Sequence, residues 1–148
     1  MPNQFAPTAD GEPAVPVTES TPPCQYLPSF VGRTGATGEP ADIARTLLDH
    51  GVGTVLVTMG AEGCAVAQSG QVFSIRPPKV QVIDGYGAGA AFSAGVIYGL
   101  LRGWPQERAA QFATAHAGLQ CGVTGNAAFS IKRIQRVATN LEIRPNVL

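Results

Sequence analysis

The distribution of apolar residues divides the chain into a proline-rich first part and a regularly patterned remainder. Seven of the 12 prolines fall within the first 28 residues, and that part shows neither the period of a helix nor the period of a strand. From residue 39 onward, apolar residues recur at regular spacing. We therefore predict an irregular or disordered segment at 1–38 and a folded domain at 39–148.

Four stretches of this domain have the apolar spacing of amphipathic helices. The first begins at Pro40, the second runs from about residue 88 to 102, the third has Pro105 at its first position, and the fourth takes Ser130 as N-cap. Proline at a helix start and serine at an N-cap each match the backbone requirements of those positions. In the fourth helix we expect buried side chains at Ile131, Ile134 and either Val137 or Ala138.

Short β-branched runs predict the strands. Residues 54–58 form one buried strand, and 64–67 with 72–75 form a hairpin around a Ser-Gly turn. The apolar residues at 80–83 predict a further strand before the second helix. The resulting order of helix, strand, hairpin, strand and three helices predicts an α/β layer fold in which at least two strands are parallel.

A glycine-dense turn links that last predicted strand to the second helix. Gly85, Gly87 and Gly89 lie within five residues. Glycine lets backbone N–H groups approach a ligand closely, and the first turn of a helix offers unpaired donors at the positive end of its dipole. The motif predicts binding of an anion such as phosphate, although the same glycines also suit a tight turn that needs small residues for packing.

Composition limits the classes of partner and the compartment. The formal net charge is zero and the pI is about 6.7, so bulk charge recruits neither nucleic acid nor an anionic membrane. No apolar run reaches membrane-spanning length. Because Cys24, Cys64 and Cys121 are far apart, we expect neither a disulfide framework nor a zinc site, and we predict a cytoplasmic protein.

Two glycine-containing motifs follow one another along the domain. The first is Val-Thr-Met-Gly-Ala-Glu-Gly at 57–63, and the second is Asp-Gly-Tyr-Gly-Ala-Gly-Ala-Ala-Phe at 84–92. Together with the alanine-rich stretch at 112–117, they resemble the C-terminal part of PfkB-type, ribokinase-like sugar and nucleoside kinases. The resemblance covers residues 40–130 and implies a ribokinase-like three-layer α/β/α fragment. It also implies ATP with Mg²⁺ as cofactor and a sugar or nucleoside hydroxyl as acceptor.

In this family the second motif reads Asp-Thr-x-Gly-Ala-Gly-Asp. The resemblance implies that the amides of Gly87, Ala88 and Gly89 form an anion hole for the transferred phosphate, and that the last position holds the general base. That position is Ala90 here, and a methyl group cannot accept a proton. A positioned general base contributes a factor of about 10² to 10⁴ in rate, so we expect little or no kinase activity. Gly85 also replaces the usual Thr.

The resemblance assigns roles outside the glycine turn as well. Thr58, Gly60 and Gly63 correspond to the loop that borders the nucleotide, and His116 lies in the part that borders the adenine pocket. Asp84 corresponds to the first Asp of the motif, which in some members helps to organise a site for a monovalent cation such as K⁺. From the residues alone, the two glycines suit a simple loop and the histidine suits a packed core position.

Members of this family are about twice as long as this chain, and their N-terminal half supplies the sugar-binding residues. The resemblance therefore implies a truncated or degenerate kinase domain whose partner is a nucleotide. The family's Asn-x-x-Glu motif is not matched near Glu19. A charged fraction of 14% and missing sheet partners would expose apolar surface, which favours a homo-oligomer or a partner that supplies the missing half.

Two alternatives fit parts of the sequence. Gly85-x-Gly87-x-x-Ala90 has the form of a Rossmann-type dinucleotide-binding fingerprint, with Glu107 as the acidic residue about twenty positions further on. The chain also fits a non-catalytic association module.

Overall fold

The computed structural model describes residues 39–51, 53–68 and 70–145, so the predicted irregular segment at 1–38 lies outside the described residues. The elements in the described part are α1 Pro40–Asp49, β1 Thr54–Thr58, β2 Cys64–Gln68, β3 Gln71–Ile75, α2 Ala88–Leu101, α3 Gln106–Cys121, α4 Ile131–Ala138 and β4 Ile143–Pro145. The four predicted helices, the first predicted strand and the hairpin are confirmed, with small differences at their ends. The short strand β4 was not predicted.

The four strands form one sheet in the order β1-β2-β3-β4, and every pairing in it is antiparallel. The prediction of at least two parallel strands is therefore wrong for the described part of the chain. A 3₁₀ turn at Gly60–Glu62 joins β1 to β2, and a tight turn joins β2 to β3. Such short connections link antiparallel neighbours, since parallel strands require a crossover of about a dozen residues or more.

The strand predicted at 80–83 is also wrong. This stretch has no strand partner among the described residues, and Val82 and Ile83 are 67% and 59% exposed. It runs instead along α3. The ring of Pro78 lies where a side chain on Gly118 would be, and the N–H of Ile83 donates to the Cys121 carbonyl over 2.8 Å. The backbone of this stretch is therefore anchored at the C-terminal end of α3 and not by hydrogen bonds to a neighbouring strand.

Three layers are nevertheless present, as expected for the ribokinase-like fragment. Helix α1 packs on one face of the sheet, against alternate residues such as Val57 and Ala65. Helices α2 and α3 pack on the other face, against Val66 and Phe73. Strand β2 is apolar along most of its length because it is covered on both sides.

Helix α4 packs on the outer side of α3. Ser130 is its N-cap, as predicted, and accepts a hydrogen bond from the Arg133 N–H over 3.3 Å. Ile134 and Ala138 are buried in the cluster with α3, whereas Ile131 is 38% exposed, contrary to the prediction. Position 131 is the first residue of the helix and lies beyond the contact with α3.

Small residues allow α2 and α3 to approach closely. A Cβ atom added to Gly95 would lie 2.6 Å from the Cα of Ala113, and one added to Gly99 would lie 2.6 Å from the Cβ of Ala109. Both distances are shorter than van der Waals contact. The two glycines therefore set the separation of the helices and, with it, the position of the turn that precedes α2.

We predict that Gly95→Ala destabilises the domain by ~1–3 kcal/mol, because the extra methyl group overpacks the contact with α3. Gly89→Ala, in the same helix, is the matched control: its Cβ would meet nothing within 4 Å. Urea unfolding of both variants measures the difference. Equal stabilities would show that the helix contact can expand without cost.

Candidate functional site

Gly87 defines the geometry of the turn before α2. Its φ of 81° lies in the left-handed region, and it serves as the N-cap of the helix. A Cβ atom at this position would lie 2.6 Å from Oδ1 of Asn126, in the loop that follows α3. Backbone conformation and close approach therefore both require glycine here.

The first turn of α2 offers backbone donors to a ligand. The Ala88 N–H donates to the Gly85 carbonyl over 3.4 Å, whereas the N–H groups of Gly89 and Ala90 have no acceptor among the described residues. Position 90 is exposed, and no acidic side chain occupies this turn. Unpaired donors at the positive end of a helix dipole favour an anion.

The Asp84 carboxylate links this turn to the loop after α3 through hydrogen bonds. Its Oδ1 accepts the Tyr86 N–H over 2.9 Å, and its Oδ2 accepts the Gly125 N–H over 3.4 Å. The side chain is partly buried. In the part of the chain that the structure describes, no group of three or more His, Cys, Asp or Glu residues could hold a metal ion, so Asp84 belongs to no such cluster.

Gln120 holds the same loop through two side-chain hydrogen bonds. This residue was not identified from the sequence. Its buried side chain donates through Nε2 to the Gly125 carbonyl and accepts the Ala127 N–H at Oε1 over 3.3 Å. Asn126, which contacts Gly87, was missed for the same reason: neither residue belongs to a recognised motif. The available signal was a polar Gln within the otherwise apolar part of α3.

His116 lies against the first turn of α2. Its ring makes an edge contact with Phe129, with ring centroids 6.2 Å apart. Burial lowers the pKa of His116, and an interaction with the Ala91 backbone partly opposes this effect. The structure thus brings His116, Asp84 and the glycine turn together at one end of α2 and α3.

The loop after β1 packs against β3 and makes no hydrogen bond to the glycine turn in the described residues. Thr58 ends β1 opposite Cys64, and Gly60 follows it with a φ of 58° and open space at its Cβ position. Gly63 has a φ of 94°, and a side chain there would collide with the Ile75 carbonyl. In the described residues no hydrogen bond joins Gly60 or Gly63 to the turn at 84–91. Backbone packing against β3 therefore accounts for Gly63 without a ligand.

The Cys64 thiol is a core group. It contacts the Thr114 hydroxyl at 3.3 Å, and that hydroxyl donates to the Ala110 carbonyl over 2.8 Å. Burial raises the pKa of Cys64 to about 11, and burial together with Asp84 raises the pKa of Cys121. Neither thiol is activated as a nucleophile.

The dinucleotide-binding fingerprint lacks its structural context. That motif requires a strand before its glycines and an acidic residue near the end of a following strand. Residues 76–87 form no strand, and Glu107 lies in the first turn of α3. The glycine turn here is reached from a loop that is anchored on α3.

Comparison with known families identifies the fold and its ancestry. The model of the pfkB family of carbohydrate kinases matches residues 29–133. The chain belongs to this family. The family predicted from the motifs at 57–63 and 84–92 is therefore confirmed.

Sequence relatives of this pfkB-family chain are sugar kinases. An uncharacterized sugar kinase from Archaeoglobus fulgidus is 37% identical over 83 residues, which are 56% of this chain and 28% of that protein. A 1-phosphofructokinase from Escherichia coli is 35% identical over 78 residues, which are 53% of this chain and 25% of that protein. The matched segment thus spans about a quarter of the length of these relatives.

Solved structures share the fold over a longer part of the chain. Ribokinase from Thermotoga maritima matches with a TM-score of 0.71 at 21% identity, over 78% of this chain and 40% of that one. Ribokinase from Arabidopsis thaliana, complexed with ribose and ATP, matches with a TM-score of 0.65 at 26% identity, over 75% and 38%. Phosphofructokinase-2 from Escherichia coli, in complex with potassium, matches with a TM-score of 0.68 at 22% identity, over 80% and 39%.

Among the described residues, no helix combines the length and the apolar character needed to cross a bilayer.

The position of His116 predicts a pH dependence of stability. The unfolded chain binds a proton at this residue near its ordinary pKa of 6.5, while the folded chain resists protonation. The free energy of unfolding should therefore fall as the pH drops below 6.5 toward the lowered folded pKa, and this part of the fall should vanish in His116→Gln. Urea unfolding at pH 7.5 and at pH 5.5 tests this expectation.

The matched control for that experiment is His50→Gln, which changes the other histidine of the chain, at the exposed end of α1. It should keep the pH dependence of the wild type. If His116→Gln keeps it too, burial of His116 does not govern the acid limb.

Proposed function

We propose that this chain is a degenerate pfkB-type carbohydrate kinase domain. It retains part of the ATP-phosphate site at Gly87, Ala88 and Gly89, and it has little or no phosphotransferase activity because Ala90 occupies the position of the general base. The observation that carries the proposal is the exposed methyl group of Ala90 on a helix turn with unpaired N–H donors.

The phosphate site is supported by the space and the donors at the turn. A Cβ at Gly89 would meet nothing within 4 Å, so a phosphate oxygen can reach the backbone from that side. The N–H groups of Gly89 and Ala90 would donate to it. His116 lies beside this turn, and its lowered pKa favours the neutral form at neutral pH, so it adds no positive charge to the site.

The loss of activity follows from the chemistry of the acceptor. A sugar hydroxyl must lose its proton as its oxygen attacks phosphorus, and a positioned carboxylate accelerates that step by about 10² to 10⁴, equivalent to ~3–5.5 kcal/mol of barrier. Asp84 is engaged with the N–H groups of Tyr86 and Gly125 and lies six residues before Ala90. It positions the loop and does not replace the base.

Metal ions fit this site only in limited ways. Without a carboxylate cluster in the described residues, Mg²⁺ would enter on the phosphates of the nucleotide, where it neutralises their charge. Asp84 has oxygen lone pairs left beyond its two hydrogen bonds, which suits a monovalent cation such as K⁺ at the loop around Gly125.

The free thiols of Cys64 and Cys121 support a reducing, cytoplasmic setting.

A non-catalytic association role is the alternative that one observation favours. The outward side of α2 is apolar, with Leu101 82% exposed and Ile97 also exposed. A helix that is apolar all round is normally covered by protein. Sedimentation velocity would detect a homo-oligomer, and a monomer at all concentrations would argue against self-association.

Restoring the base should restore transfer. We predict that Ala90→Asp raises the rate of ATP-dependent phosphorylation of ribose, fructose or a nucleoside by about 10² or more over the wild type. The new carboxylate lies in the first helical turn, where the helix dipole stabilises it by ~0.3–1 kcal/mol, so folding should not suffer. A coupled assay for ADP release measures the rate.

Ala94→Asp is the matched control, because position 94 lies one turn further along α2 and is also exposed. It adds the same charge away from the glycine turn and should leave activity unchanged. An ordinary kinase rate in the wild type, about 1–100 s⁻¹, would contradict the proposal outright.

Gly89→Ala separates nucleotide binding from stability. The substitution should stabilise the helix, by up to ~0.5–1 kcal/mol, because alanine has less backbone entropy to lose. The methyl group would at the same time fill the space that a phosphate needs, so affinity for Mg-ATP should fall. Isothermal titration calorimetry and urea unfolding measure the two effects, and unchanged ATP affinity would place the nucleotide elsewhere.

A further inference from the structure

Three exposed arginines lie over aromatic rings in the helices α2, α3 and α4 and the segments that join them. The guanidinium carbon lies 4.0 Å from the ring centroid in the pair of Arg108 with Trp104. We name the set of three pairs the arginine–aromatic surface; it consists of Arg102 over Tyr98, Arg108 over Trp104 and Arg133 over Phe129.

The rings of this surface belong to one packed cluster. Tyr98, Trp104 and Phe112 contact one another with centroid separations of 5.2–5.4 Å. Phe129 packs against the same cluster from the start of α4. The aromatic side chains are thus held by the core, and they hold the arginines in turn.

The three arginines have no carboxylate partner among the described residues, where the ion pairs are those of Arg45 with Asp42 and Arg144 with Glu142. Residues 88–138 contain five Lys or Arg and a single acidic residue, Glu107. Arg102 donates through Nε to the Tyr98 hydroxyl over 3.2 Å, which leaves its terminal N–H groups to meet a ligand. The N–H groups at the edge of a stacked guanidinium match a carboxylate. The surface is therefore suited to an acidic chain.

Residues 1–28 have the complementary composition. They contain Asp10, Glu12 and Glu19, no Lys or Arg, and seven prolines. Proline-rich chains lose little entropy when they dock on aromatic side chains. A chain as long as the nineteen residues between Glu19 and Glu39 can span ~60 Å when extended, which exceeds the ~13 Å radius of gyration of a domain of this size.

We propose that the acidic, proline-rich segment 1–28 docks on the arginine–aromatic surface of the same chain, with its carboxylates paired to Arg102, Arg108 and Arg133. Charge complementarity selects this occupant, and the length of the connecting chain allows it to reach. This contact is independent of the kinase ancestry of the domain.

Two unique residues make the test direct. Trp104 is the only tryptophan, and Cys24 is the only cysteine in the segment. In a full-length Cys121→Ser variant, a nitroxide reagent should label Cys24 alone, because Cys64 is buried. At low salt the label should broaden the ¹⁵N-indole signal of Trp104 to near disappearance, and 1 M NaCl should restore it by screening the charges.

Neutralising the segment by Asp10→Asn, Glu12→Gln and Glu19→Gln should restore the signal at low salt. The matched control removes three exposed carboxylates from the domain, through Glu39→Gln, Asp49→Asn and Glu62→Gln, and should leave the broadening intact. The segment variants lie outside the described domain, so the test does not depend on whether arginine variants fold.

Three results would overturn the proposal. The first is an unbroadened Trp104 signal in the labelled wild-type segment. The second is broadening that persists after the segment is neutralised. The third is broadening of ¹⁵N-labelled, nitroxide-free chains when they are mixed with nitroxide-labelled chains, since that result assigns the surface to the segment of a second copy.

Discussion

The contact between α2 and α3 is the constraint on which the candidate site depends. No side chain separates the two helices at Gly95 and Gly99, so they meet at backbone distance. That contact sets the first turn of α2 beside the C-terminal end of α3, where the buried Gln120 holds the following loop. Asp84 then joins the turn to the same loop. The geometry of the glycine turn is therefore a consequence of helix packing, and it does not depend on the side chain at position 90.

The proposed phosphate site would hold an anion through backbone groups alone. The chain has no Lys or Arg between 80 and 101, and burial lowers the pKa of the nearest histidine, His116. A helix dipole contributes only ~0.3–1 kcal/mol at an exposed position. Tight binding of a phosphate group at Gly89 would therefore require further contacts with the rest of the ligand, such as a nucleoside.

The sequence predicted those elements whose signals are local. Pro40 and Ser130 mark helix starts through their own backbone requirements, and the hairpin at 64–75 consists of two short apolar runs on either side of a Ser-Gly turn. The prediction of a strand at 80–83 was wrong because an apolar run predicts burial but does not specify a strand partner. The roles of Gln120 and Asn126 could not be predicted, because they depend on where the end of α3 meets the glycine turn. That meeting is set by tertiary packing.

The glycines differ in how far the fold explains them, and this difference bears on function. Gly63 and Gly87 have positive φ and sit against other atoms, while Gly95 lies at the helix contact. None of these reasons applies to Gly89. It lies in a helix, its φ is outside the left-handed region, and its Cβ position is open. Alanine there would stabilise the helix by up to ~0.5–1 kcal/mol. The open backbone of Gly89 is the property that the proposed phosphate site requires, and the fold alone does not require a glycine there.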